Sequence, residues 1–555
     1  MRINGCQMVI EALQQENVDT IFGFPGGVPF SLHEQLLAAK IQYIISRHEQ
    51  GAAHAADGYA RATGKPGIVF AISGSIATDL ITGLATAFMD SVPIVVFTGE
   101  DATSPKSNDI FREVDINAMT LPVTKHSYVV EDVRELPRTI KEAFYIATTG
   151  RCGPVLIDIP RDVQESTGIF KYPKKVIIPG YHPTYQGHPG QISWAAKLLA
   201  KSKRPIIYAG GGVIYSGAYD ELRQLAERAE VPVATTLMGL PGFPGGHPLA
   251  LGMLGMHGTY WANMAVHEAD LIMAIGARFD DRVTCKTSTF ASNAKIIHID
   301  IDPAEIGKNV SVDIPIVGDV KTVLTRFLSE LEPPETKEWL ARIEEWRRFS
   351  PLRYQQDDGI ISPQYVIEQI YEQTGGKALI TTDVGQHQMW TALYYRFTLP
   401  RSLASSGGLG TMGYGFPASI GVQAGRPDDL VFCVAGDGSF QMNARELSTA
   451  VAYNLPIKVA ILNNQCLGLV RQWQEMFFRG RFQSVDLNQL PDFVKLAQAY
   501  GATGLRAETS AQVVPALRKA METPGPVVID FRVKAGENVY PMVPPNCTIS
   551  DMVGT

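Results

Sequence analysis

No apolar run in the chain approaches the ~20 residues that a membrane-spanning helix needs. The first residues, MRINGCQMVIEALQQENVD, read at once as an amphipathic helix, with neither a secretory signal nor an Arg/Ser-rich transit segment. Cysteine is scarce. Cys6, Cys152, Cys285, Cys433, Cys466 and Cys547 are scattered and make no CxxC pair, which argues against a zinc site or a disulfide frame and for a reducing cytoplasm. Charge of one sign is lacking too: a net charge of −7 gives no reason to expect a nucleic acid or an anionic membrane as partner. Repeats and low-complexity tracts are absent from the sequence.

What is present is a length of 555 residues, enough for about three domains. Short apolar runs alternate with helical patterns, which argues for α/β domains built as doubly wound parallel sheets. Strands are expected at Gly67–Ser73 and Val92–Gly99, then at Pro205–Ala209, Leu271–Ile275 and Lys295–Ile301. A last group is expected near Ala378–Thr382, Leu430–Ala435, Ile457–Leu462 and Val527–Phe531. The divisions fall at 1–168, 191–335 and 362–535, with linkers at 169–190 and 336–361 and a tail at 536–555. The first linker is rich in Pro, Gly and Tyr, and the second contains a solvated helix, KEWLARIEEWRR.

Chemistry concentrates first at Gly436-Asp437-Gly438, which ends the strand LVFCVA, and at Asn463-Asn464, which ends the next parallel strand. Asp437 and Asn464 are one βαβ unit apart, so both emerge at the carboxyl edge of a sheet, where open α/β sheets bind ligands. A carboxylate and an amide oxygen, completed by phosphate oxygens, suit a hard Mg²⁺ ion. The glycines let backbone approach a diphosphate, whose charge the following helix start favours. A Gly-Asp-Gly turn alone is commonly a mere connection; with Asn-Asn at this spacing it resembles the thiamin-diphosphate motif.

Glu49, in Arg47-His48-Glu49-Gln50, follows the strand Ile41–Ser46 and opens a helix. One reading is a favourable interaction with the helix dipole. The other sets a buried carboxyl group against the aminopyrimidine ring of thiamin diphosphate, where it would share a proton with a ring nitrogen.

Over nearly its whole length the chain resembles the catalytic subunits of the acetolactate synthase (acetohydroxyacid synthase) family. The resemblance is carried by GFPGG at 23–27, RHEQGAAHAADGYARATGKPG at 47–67, MLGMHGTYWANMAV at 253–266 and GARFDDRVT at 276–284. Further matches are DVGQHQMW at 383–390, SGGLGTMGYGFPASIG at 406–421, GDGSFQMN and NNQCLGLVRQWQ. It implies a pyrimidine-binding, a central flavin-binding and a diphosphate-binding domain, with the tail near the active site and thiamin diphosphate, Mg²⁺ and FAD as cofactors. It further implies that Asp437, Asn464 and the backbone carbonyl of Cys466 hold Mg²⁺. Gln386, His387, Gly410, Gly438, Ser439, Gly468 and Leu469 would line the thiamin site, which Met412 would prop. Glu49, Gly27, Phe111, Arg112 and Met412 would stand at the reacting centre.

For FAD the matching positions are Arg151, Gly210, Gly211, Gly212, Thr236, Leu237, Met238, Met256, Gly276, Arg278, Asp281, Arg282, Asp300, Ile301, Gly318 and Asp319. Gly210–Gly212 after a strand suit close passage of a pyrophosphate, and Asp300 at a strand end suits a ribose hydroxyl. The competing reading is a dinucleotide fold that has lost its flavin. Arg282 would receive the carboxylate of the second keto acid, and Trp473, Val384 and Met256 would shape its apolar pocket. The family builds its site between two subunits, so a homodimer or homotetramer of this chain is expected, with a small regulatory subunit as a further partner and 2-keto acids as substrates.

Departures cluster in the first domain. The family loop GPGATN is Gly74-Ser-Ile-Ala-Thr-Asp79, Gly-Gln is Gly99-Glu100-Asp101, and a neutral glutamine has become Arg112; Val28 follows GFPGG. Arg112 needs a partner if buried, Glu100 or Asp101. These changes keep open a related thiamin-diphosphate decarboxylase or carboligase with another donor or acceptor, or an FAD-linked oxidase. A catalytically silent homologue would not be expected to keep Glu49, Asp437 and Asn464 together.

Overall fold

The computed structural model describes residues 1–555 except 25–34, 37, 73, 100–113, 357–358, 488 and 490. Three six-stranded parallel sheets organise the chain, as the alternation of buried runs and helices requires. The first runs in the order Gln42–Ile45, Thr20–Gly23, Gly67–Ile72, Ile94–Gly99, Val155–Asp158, His126–Val129. The second runs Ala250–Met253, Val233–Thr235, Pro205–Ala209, Leu271–Ile275, Lys295–Asp300, Ile314–Val317. The third runs Leu403–Ala404, Leu379–Thr382, Val431–Gly436, Lys458–Asn463, Val527–Arg532, Thr503–Ala507. No helix among the described residues is long and apolar enough to cross a membrane.

The chain start differs from its sequence reading. Arg2–Asn4 form a strand paired antiparallel with Thr167–Ile169, and the amphipathic helix begins only at Gly5. Asn4 caps that helix, its side chain accepting from Gln7 N at 2.8 Å, which ends the strand and starts the helix in one residue. The helix Lys337–Phe349 is not a solvated spacer either. Trp339, Ile343 and Trp346 lie on one face and are buried against the middle domain, with Trp339 Nε1 donating to the Pro205 carbonyl at 3.0 Å. Its charges occupy the other face.

First and third domains share one continuous core. It joins Ala52, Ala56 and Tyr59 of the helix Glu49–Thr63 to Phe416 and Ile420 of the helix Gly415–Gly425. These helices meet backbone to backbone: a Cβ at Gly58 would lie 2.1 Å from the Ala418 carbonyl oxygen, and one at Gly421 only 1.7 Å from that of Ala55. Only glycine permits this approach. It fixes the third domain's ligand-binding edge relative to the first domain.

Candidate active site

The strands Leu379–Thr382, Val431–Gly436 and Lys458–Asn463 are parallel neighbours. The segments that follow them therefore emerge side by side at one carboxyl edge. Asp437 is buried, its Oδ1 accepting from Gly438 N at 2.8 Å and its Oδ2 from Gln465 N at 2.7 Å. Burial raises its carboxyl group to about 6. Asn464 Oδ1 accepts from Cys466 N at 3.2 Å, and its Nδ2 donates to Gln386 Oε1 at 3.4 Å. Cys466 bridges to Asp486 through bonds made by the flanking residues, Leu467 N to Val485 O and Leu487 N to Gln465 O, both 2.8 Å. Its own carbonyl is thus left outside that ladder. Carboxylate, amide oxygen and carbonyl are the donor set a hard divalent cation takes.

His387 is buried beside them, and its Nε2 has no hydrogen-bond partner. Burial keeps the ring neutral, pushing its pKa down to about 3. An unpaired buried ring nitrogen costs free energy unless a ligand meets it; with the ring's other nitrogen donating to the Asp383 carbonyl, Nε2 would donate to a diphosphate oxygen only once the ring is protonated. Gly468 packs against Gln386, whose Oε1 would lie 2.0 Å from a Cβ there. The Ser439 hydroxyl accepts from Gly436 N at 3.2 Å. Met412 is half-buried in the loop before the helix Gly415–Gly425. That loop is tied on either side of it, by Thr411 Oγ1 to Thr86 Oγ1 at 2.7 Å and by Gly413 N to Asp383 Oδ1 at 2.8 Å.

A cleft of about 680 Å³ opens at the carboxyl edge of the middle sheet. Every position matched to FAD lines it except Gly318. Gly318 instead packs where a Cβ would lie 2.8 Å from Gly187 N. Gly210 and Gly212 lie against Gly276, with a Cβ at Gly210 falling 2.1 Å from the Gly276 carbonyl oxygen. Those glycines are thus demanded by packing of two strand ends, whatever the ligand. Asp319 is engaged as a helix cap, accepting from Thr322 N at 3.0 Å and from Ser216 Oγ at 2.6 Å. Arg151 is held by Glu305 at 2.6 Å and by Ser91 Oγ at 2.8 Å. Asp300 stands at a strand end with its carboxyl group raised by burial to about 6.

Gly410, Leu469 and Trp473 of the third domain line the same cleft, as do Met256 and Arg282. Val384 does not line it but lies within 3.8 Å of where a side chain at Gly410 would begin. Arg282 is mostly exposed, with Asp281 3.8 Å from its Nε. The tail reaches this wall: Val543 N donates to the Met256 carbonyl at 2.8 Å, and Gln386 Nε2 to the Glu537 carbonyl at 3.0 Å. Sequence reasoning missed Met89–Ser91 and Gly407–Leu409, which also border the cleft. The signal was there in AFMDSVPIVV, an acid set between two apolar runs.

Three family models match in order. The N-terminal TPP binding domain of thiamine pyrophosphate enzymes matches residues 3–119, their central domain 192–327 and their C-terminal TPP binding domain 383–531. The acetolactate synthase large subunit of Buchnera aphidicola subsp. Schizaphis graminum is 47% identical over 97% of this chain and 96% of its own. The large subunit of acetolactate synthase isozyme 3 from Escherichia coli is 45% identical over 97% and 96%. A probable acetolactate synthase large subunit of Methanocaldococcus jannaschii is 47% identical over 99% and 95%. The chain belongs to the acetolactate synthase large-subunit family of thiamine pyrophosphate enzymes. That is the family its motifs resemble, and the three α/β domains expected of it are present.

In this family member Glu49 opens the helix Glu49–Thr63, and His48 is the cap residue, Nδ1 accepting from Gln50 N at 3.3 Å. Glu49 is 4% exposed and its Oε1 has no partner. Burial, with Asp79 and Glu446 nearby, raises its carboxyl group above the ordinary range. Its charged neighbours within the chain include Asp79, Glu446 and Arg445. Asp79, from the departing loop, pairs with His48 Nε2 at 3.1 Å. Gly27, Val28, Glu100, Asp101, Ile110, Phe111, Arg112 and Glu113 lie outside the described residues.

Proposed function

We propose that the chain decarboxylates pyruvate and joins the two-carbon unit to a second 2-keto acid, giving 2-acetolactate from pyruvate or 2-aceto-2-hydroxybutyrate from 2-ketobutyrate. Branched-chain amino-acid biosynthesis is the pathway such products feed. The observation that carries this reading is that one cleft is lined by middle-domain Met256 and Arg282 and by third-domain Gly410, Leu469 and Trp473. An acceptor keto acid meets there a guanidinium for its carboxylate and an aromatic wall for its alkyl group.

Thiamin diphosphate, when bound, supplies the electron sink that decarboxylation of a 2-keto acid requires. Asp437, Asn464 and the Cys466 carbonyl would hold Mg²⁺, while His387 Nε2 and the helix start after Gly438 would face the diphosphate. FAD would fill the middle-domain cleft, with Asp300 toward its ribose. Glu49, protonated more readily than an ordinary carboxyl group, would hold the proton shared with the pyrimidine ring. The family resemblance implies a site built between two subunits, so a second copy would supply that ring. We therefore assign the active unit as a dimer at least. The relatives' designation as large subunits supports a small regulatory subunit as a further partner.

The test is CO₂ release and acetolactate formation from pyruvate by the purified protein with thiamin diphosphate, Mg²⁺ and FAD. Release with acetolactate is expected, and added 2-ketobutyrate should divert product to the longer acid. No release overturns the enzyme assignment; oxygen uptake without acetolactate replaces carboligation by oxidation.

A further inference from the structure

Asp90 follows the helix Ile81–Met89, in the turn before the strand Ile94–Gly99. Three domains converge on this turn. Its side chain is 2% exposed, yet fully engaged. Oδ1 accepts from Gly408 N at 2.7 Å, and Oδ2 accepts from Gly407 N at 3.1 Å and pairs with Arg61 Nη2 at 2.9 Å. Arg61 is in turn held by Asp57, which accepts from Tyr414 Oη at 2.5 Å at the far end of the same loop. The turn's other groups face the flavin side. Met89 O accepts from Arg278 Nη1 at 3.1 Å, Asp90 O from Tyr215 Oη at 3.2 Å, and Ser91 Oγ from Arg151 Nε at 2.8 Å. The fit is tight, since a Cβ at Gly408 would lie 2.6 Å from Asp90 Oδ1.

We propose that Asp90 is a positioning residue that ties the loop carrying Gly410 and Met412 to Arg151 and Arg278 on the flavin side, so that filling either half of the cleft tightens binding in the other. This rests on the cofactor assignments made above. A buried carboxylate that accepts two backbone N–H groups and a guanidinium is a stiff tie, because each partner left unmet would be costly. At Gly407–Gly408 the loop can then relax only if the turn moves, and the turn is held by two arginines that line the flavin cleft. Coupling through such an element is reciprocal. Asparagine at position 90 would present an NH₂ to one of these donors and break the tie without changing its size.

The experiment is a fluorescence titration of thiamin diphosphate with Mg²⁺, with and without FAD, on the full-length protein and on Asp90→Asn and Ser91→Ala. In the parent protein FAD is expected to tighten thiamin-diphosphate binding about tenfold, and in Asp90→Asn the ratio falls to about one. Ser91→Ala removes only the Arg151 contact. It should lower the ratio while leaving the flavin-free affinity within about twofold, and it stands in if Asp90→Asn fails to fold, as judged by circular dichroism. Equal ratios in parent and variants, or a parent ratio of one, overturn the proposal alone. No thiamin-diphosphate binding by the parent in either state overturns the cofactor assignment and the proposal with it.

Discussion

Trp473 lies half-buried on the helix Gly468–Phe477, its ring edge-on to Phe477 at 5.3 Å. As the proposed acceptor-pocket wall it would discriminate by about one methylene, roughly 1–3 kcal/mol. Trp473→Leu should therefore lower the preference for 2-ketobutyrate over pyruvate by about tenfold or more, read as product ratio with both acceptors present; an unaltered ratio refutes the role. Asp300 makes a prediction with opposite effects on stability and binding. Its folded pKa of about 6 stands above the ordinary value of 3.8. The folded chain thus binds the proton more tightly, and the penalty for ionising grows as pH rises from 3.8 through 6 and is complete above it. Asp300→Asn should raise the melting temperature of flavin-free protein near neutral pH, with the gain fading as pH falls through that window. It should weaken FAD binding about tenfold through the lost charged acceptor. A variant that melts lower in the flavin-free state at neutral pH contradicts this reading. The positions of Asp437, Asn464 and Asp300 were legible because each ends a buried strand. That Asp319 is spent on a cap and Gly210 on strand packing was not, since the motif is the same whichever demand selects it.

The helices Glu49–Thr63 and Gly415–Gly425 set how the first domain meets the third. Gly421→Ala drives a methyl group into the Ala55 carbonyl oxygen, a backbone atom with no rotamer to yield. It should cost about 1–3 kcal/mol, at the upper end of overpacking penalties. Gly246→Ala, where nothing lies within 4 Å of the added Cβ, should stay within about 0.5 kcal/mol. Thermal unfolding of both checks this; equal melting points contradict it. Half of the strands among the described residues were legible as short apolar runs, and their observed bounds fall within a residue or two of the expected ones. The helix Lys337–Phe349 was read as solvated because its charges outnumber its apolar residues, yet Trp339, Ile343 and Trp346 recur at helical spacing and suffice to dock one face. At the amino terminus, pairing of Arg2–Asn4 with Thr167–Ile169 overrode local helical pattern. Contacts so distant in sequence leave no periodic signal.

At the scale of the molecule, the three sheets bring the middle and third domains' ligand edges to one cleft, and Glu49 opens a helix packed against the third domain. Domain count was readable from chain length and class from alternating strands and helices, but the meeting of Met89–Ser91 with Gly407–Gly408 was not, because nothing local specifies which loops face across an interdomain gap. In the proposed dimer each site draws Glu49 from one chain and Asp437 from another. Glu49→Gln and Asp437→Ala should each be nearly inactive in CO₂ release, the former by about 10²-fold or more. Co-refolded in equal amounts, they form mixed dimers in which one of the two sites is intact. The mixture should then regain about a quarter of the parent rate. If it regains none while mixed dimers are present, both residues serve a site within one chain, and the shared-site account is wrong.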